Sequence, residues 1–194
     1  MNEKRNSGSL ASFGKVVAAA AVAGSMWPGA AAAQTYTGTL YIAGMGGHIA
    51  TADVKIDPSK PEPITVTSLG RIALHNDPAV AKKAYPLHDV RIDQATKVMY
   101  WSAYVPDGDG VRAGKVDLAS GKILSDVKLE KDAKLTLAPM YCGSGQTSDK
   151  FLPVIMGHQG SIDIVDKQSM KLERRVFLDH SNIPKNYLWA HGVN

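Results

Sequence analysis

Three consecutive stretches decide the fold: Val98-Met99-Tyr100-Trp101-Ser102-Ala103-Tyr104, then Pro106-Asp107-Gly108-Asp109-Gly110, then Gly114-Lys115-Val116-Asp117-Leu118 closed by Ala119-Ser120-Gly121-Lys122. The first is rich in aromatic and β-branched residues, the second has the Gly and Asp content of a tight turn, and the third alternates into a second strand. The same order returns further along the chain: a strand at Leu152 to Met156, a turn at Gly157 to Gly160, a strand at Ser161 to Val165, and the closing turn Asp166-Lys167-Gln168-Ser169. Asp117 and Asp166 stand 49 residues apart. An earlier copy runs from Thr39 to Ala43, through Gly44-Met45-Gly46-Gly47, into Ile49 to Ile56 and the turn Asp57-Pro58-Ser59-Lys60.

Each copy is followed by one more strand, at Ile64 to Leu69, Ile123 to Leu129 and Leu172 to Leu178. A short strand precedes the second copy at Asp89 to Asp93, and a weaker, Gly-rich one precedes the third at Cys142 to Thr147. The unit is therefore four strands, A to D, and its period of 40 to 50 residues with recurring turns is the mark of propeller blades. A β-sandwich is the competing architecture, but it gives no reason for the same turn chemistry to recur at matched positions. No helical period longer than two turns appears in this region; Pro78 to Ala84 can form a short helix inside a loop.

His88-Asp89-Val90-Arg91-Ile92-Asp93, Val98-Met99-Tyr100-Trp101-Ser102 and Lys115-Val116-Asp117-Leu118-Ala119-Ser120-Gly121-Lys122 together resemble the blade of bacterial YVTN-type and cytochrome-d1-like propellers. The chain has Ser120 where that closing turn carries Thr, and Gln168-Ser169-Met170 departs further. The resemblance implies an all-β fold of four-stranded β-propeller blades. It implies no single activity, since such propellers include lactonases, haem-d1 enzymes, surface-layer repeats and partners of redox or efflux systems.

Outward from the repeat, the N-terminus reads as a leader. Lys4 and Arg5 precede an apolar, Ala-rich segment from Val16 to Trp27, and small residues at Ala31 and Ala33 suit cleavage before Gln34. Residues 1–33 are thus expected to be a signal peptide and 34–194 a partial propeller, with blade units near 36–69, 88–129 and 141–178 and the start of a further blade at 188–194. The expected location is periplasmic or secreted. About three blades cannot close a ring of four to eight. The chain therefore reads as an incomplete ring, an N-terminal fragment of a larger propeller, or, if complete, as one subunit of an oligomer. No second stretch suggests a membrane span. The net charge of +4 is spread without a basic run or interleaved aromatics, so nothing supports nucleic-acid binding and none is expected. Cys142 is the sole cysteine, so no intrachain disulfide exists.

Mapped onto the blades, the histidines gather. His88, Cys142 and His191 fall at the start of successive strands A, while His48 and His158 fall in matched B-to-C turns. His75 and His180 fall in the two long connections, Gly70 to Leu87 and Asp179 to Leu188. All lie toward one face, the face of the B-to-C turns and D-to-A connections. Imidazole and thiolate ligate copper and zinc, so His88, His191, Cys142, His48 and His158 are the candidate metal set, with copper or haem as the group they would hold. The plain alternative is loop histidines that only hydrogen-bond between blades, since no H-x-H or C-x-x-C pair exists. Asp107-Gly108-Asp109-Gly110 lacks the later ligands of a calcium loop. Gly143-Ser144-Gly145 lacks the strand-turn-helix setting of a nucleophile. The expected function is an exported, non-catalytic propeller that binds a partner protein or small ligand through its loop face. The alternative is a metal- or haem-dependent oxidoreductase, or less plausibly a hydrolase, with its site at the channel mouth.

Overall fold

In the computed structural model the chain is described over residues 34–135, 137–156, 160–179 and 181. The leader expected at 1–33 and the blade start expected at 188–194 lie outside the described residues. Three antiparallel sheets follow one another along the chain. The first has β1 (Tyr36–Gly44), β2 (His48–Ile56) and β3 (Ile64–Ala73). After a helix, α1 (Pro78–Ala84), the second has β4 (Leu87–Asp93), β5 (Val98–Asp107), β6 (Gly110–Asp117) and β7 (Ile123–Glu130). The third has β8 (Tyr141–Gln146), β9 (Lys150–Ile155), β10 (Ser161–Asp166) and β11 (Leu172–Phe177). Strand order within each sheet is the sequence order, as in propeller blades, and the described strands close no ring. Among the described residues the first sheet has three strands, with none in the place of strand A.

Two expected loops are shorter than the sequence indicated. β3 continues past Leu69 because Gly70, Arg71, Ile72 and Ala73 pair in register with Thr51, Ala50, Ile49 and His48. The connection left over contains α1 over the expected residues. Asp77 caps it, its side chain accepting from the Ala79 amide at 2.8 Å, and Pro78 sits where a missing N–H costs nothing. In the second blade β5 runs to Asp107 and β6 starts at Gly110, so Gly108-Asp109 alone makes the turn, with Gly108 at φ 64°.

The core is the space between blades. Ile49, Leu74, Tyr85, Leu87, Met99, Trp101 and Val116 fill the first junction. Tyr100, Val111, Leu129, Tyr141, Phe151, Ile155, Val165 and Met170 fill the second. The aromatic stretch that opened the repeat therefore serves both sides: Trp101 faces one cluster and Tyr100 the other, stacking on Phe151 with ring centroids 5.7 Å apart. The far face of the first blade is different. Register puts Tyr36, Leu40 and Ile42 of β1 on the same side as Ile64, Val66 and Leu69 of β3, and all six are exposed.

The repeat extends to irregularities. In β4 the pairing with β5 skips His88, and in β8 the pairing with β9 skips Cys142. Through the paired strands the two positions are equivalent, so each strand A opens with the same bulge.

Candidate functional site: the loop face

Each blade has two ends. At one end lie the B-to-C turns and D-to-A connections, held to each other by backbone. The Lys131 amide donates to the Asp109 carbonyl at 3.0 Å and the Leu178 amide to the Gly160 carbonyl at 3.0 Å. In the first blade the contact is closer still: a Cβ on Gly47 would stand 2.2 Å from the backbone of Ala81 in α1. Gly47 also has φ 78°, which side chains other than glycine's adopt only under strain. The β1–β2 turn and α1 are therefore packed backbone to backbone.

At the opposite end the three closing turns share one design. Ser59, Ser120 and Ser169 each donate both amide and hydroxyl to the carboxylate of Asp57, Asp117 and Asp166. These bonds hold all three carboxyls below the usual range, Asp166 at about 2. Lys167, 6% exposed, reaches across to Asp93 of the second blade at 2.8 Å, and Lys115 caps the Lys167 and Gln168 carbonyls at 2.9 and 2.7 Å. This end is a structural fastening.

The candidate residues that are described lie toward the loop end. His88 is exposed and stacks on Tyr104 at 5.1 Å. Cys142, at the equivalent bulge one blade on, is buried, and burial together with the nearby Asp89 raises its thiol above the ordinary value. That disfavours the thiolate a metal requires. His48 and His75 line one cleft, described below. His158, His180 and His191 lie outside the described residues. Among the described residues no three His, Cys, Asp or Glu side chains stand together as a metal-holding group.

Between the second and third blades the strands A are clasped. Asp89 Oδ2 accepts from the Ser144 amide at 2.7 Å and its hydroxyl at 2.8 Å, while Arg91 Nε donates to the Ser144 carbonyl at 2.7 Å and pairs with Asp89 at 3.0 Å. Ser144 is thereby consumed in joining blades. Nearer the loop end of the second blade, Arg112 binds Asp107 at 2.8 Å and Asp126 at 3.0 Å and lies over the Tyr85 ring. Asp107 is thus held by a guanidinium. Tyr85 donates to Asp126 at 2.5 Å, and burial plus that carboxylate push its hydroxyl up to about 12.

Sequence reasoning missed a buried cluster in the third blade. Arg175 donates to both oxygens of Asp163 at 2.6 and 2.7 Å, and Tyr141 donates to the same carboxylate at 2.5 Å. Asp163 is fully buried and the Arg175 side chain is 2% exposed. In the second blade the place of Asp163 is taken by Gly114, over which the Trp101 indole lies so closely that a Cβ would meet it at 2.4 Å. The third blade has Pro153 where Trp101 stands, and fills the slot with an ion pair. The only signal was an acid in an otherwise apolar strand, Ser161-Ile162-Asp163-Ile164-Val165.

The cleft on the first blade is walled by Gly46, Gly47, His48, Arg71, Ala73, His75, Asn76, Pro78 and Ala81, with a volume of about 80 Å³. His75 is positioned by stacking on Tyr85 at 6.0 Å, and Tyr85 is itself set against Trp101. No described helix is long and apolar enough to cross a membrane. No family model matches the sequence, and no curated protein matches it. Among solved structures the chain is similar to the crystal structure of Citrobacter koseri AztD, at 15% identity and a TM-score of 0.39, over 72% of this chain and 34% of that one, so it spans about a third of that structure's length.

Proposed function

We propose that this chain is part of an exported propeller, of the YVTN or cytochrome-d1-like kind, that binds a partner protein or small ligand through its loop face. The observation that carries the reading is the joining of the β1–β2 turn to α1 through Gly47 and Ala81, which fixes a walled cleft on that face. A rigid scaffold carrying one polar recess at its loop end is the usual geometry of recognition. On the opposite face the Asp and Ser turns are satisfied internally, and the recesses there, of about 540 and 330 Å³, are broader than the loop-face cleft.

Photo-crosslinking tests this. A crosslinking residue at Asn76 on the loop face, in the exported full-length protein, gives a discrete adduct by intact mass spectrometry, and one at Ser120 on the opposite face does not. Adducts from Ser120 alone, or equal adducts from both, overturn the reading. The matched bulges at His88 and Cys142 favour a second reading, in which successive blades present ligands to one copper, zinc or haem. Stoichiometric metal that is lost in His88→Ala supports it. Protein from its native compartment without copper, zinc, iron or haem removes it.

A further inference from the structure

We infer that the cleft between the β1–β2 turn, the ends of β2 and β3 and the start of the α1 connection is an oxyanion site, taking a phosphate or carboxylate group. Its walls carry two imidazoles, one guanidinium and one amide, and no carboxylate. Register brings these groups together independently of the cleft. His48 pairs with Ala73 and Ala50 with Arg71, which puts His48 and Arg71 on one side of the sheet in adjacent rows. Arg91, Arg112 and Arg175 are each bonded to a carboxylate, whereas Arg71 has no acidic partner among the described residues.

His75 Nδ1 is turned to the Asp77 backbone, 3.0 Å from its amide and 3.3 Å from its carbonyl, so Nε2 is the ring nitrogen left to a ligand. His48 Nδ1 lies 3.3 Å from the Gly46 carbonyl and donates to it. A divalent cation in this space would face a guanidinium with no negative charge to offset it. An oxyanion meets the Arg71 fork with charge of the correct sign and can accept from the Asn76 amide or an imidazole N–H of the same wall. At about 80 Å³ the cleft admits a single such group, free or at the end of a larger ligand.

This inference rests on the loop-face reading and deepens it. Calorimetric titration of the exported full-length protein with inorganic phosphate and with acetate tells which group is preferred; zinc chloride is the opposing probe. Binding of either anion is expected to weaken about tenfold or more in Arg71→Gln, from the loss of a charge-assisted bond, and to weaken in His75→Ala, with thermal midpoints unchanged. Lys97→Gln on the opposite face leaves it intact. The inference is overturned if neither anion binds, if Arg71→Gln binds as well as the parent, or if zinc binds in the cleft and is lost in His48→Ala. Absence of anion binding alongside retained Asn76 crosslinks sinks the oxyanion and spares the loop-face reading. Anion binding lost only in Lys97→Gln sinks both.

Discussion

Asp163 is the residue on which the third blade depends most. Two of its neighbours, the Arg175 guanidinium and the Tyr141 hydroxyl, are directed at a carboxylate that water does not reach. Asp163→Ala leaves a buried cation uncompensated, and the expected loss is about 3–5 kcal/mol in urea unfolding. Removing both charges, with Asp163→Leu and Arg175→Met, should cost clearly less, because the burden is the unpaired ion more than the lost attraction. A single-variant loss under about 1 kcal/mol would show that the pair is not the anchor described. The closing-turn aspartates act through pH. Their folded values lie below the unfolded value of 3.8, so their contribution is complete above about pH 4 and is lost as the pH falls through the folded values, toward about 2 for Asp166. Acid unfolding followed by tryptophan fluorescence should be flatter in that window for Asp166→Asn.

At the scale of elements, two equivalent closing turns put opposite chemistry in one backbone conformation. Gly121 has φ 69° and Met170 has φ 56° at the same place after their aspartates. Met170 is 1% exposed and packs in the second inter-blade cluster. Met170→Gly relieves about 1–2 kcal/mol of left-handed strain but forfeits about 2–5 kcal/mol of buried side chain. Packing therefore wins and the variant should be less stable, read as a lower urea midpoint. Gly47→Ala should displace α1 from the β1–β2 turn, seen as faster amide exchange at Ala81 and Lys82, because the added carbon has nowhere to go.

These elements also show what was legible beforehand. Strand alternation and turn chemistry were enough to place four-stranded blades, the α1 segment and the equivalence of His88 with Cys142. The extent of β3 was not legible, since Gly70-Arg71 reads as a loop until its partners on β2 are known. The Asp163 cluster was hidden because its members come from three strands. The His48, Arg71 and His75 cleft was hidden in part because Arg71 was assigned to a loop. In each case the missing information was cross-strand register, which a single sequence does not carry.

For the whole molecule, the unequal treatment of the blade faces matters most. The two inter-blade spaces are packed, while the far face of the first blade exposes Leu69 at 81% and Ile64 at 60% beside Tyr36, Leu40, Ile42 and Val66. Such a continuous apolar surface favours association. Leu69→Lys should lower self-association of residues 34–194 in sedimentation velocity without lowering the unfolding midpoint; unchanged sedimentation would show that this face is not what drives association.

The clasp between strands A has an implication for how the blades can be arranged. The third-blade positions equivalent to Asp89 and Arg91 are Gly143 and Gly145, so strand A of the third blade has neither the acid nor the base with which the second blade grips Ser144. Whatever strand follows must be joined by other means. The blades are thus not interchangeable modules. Exchanging the second and third would set Gly143 and Gly145 against Val90 in place of Asp89 and Arg91 against Ser144, so the junction described here would lose its clasp.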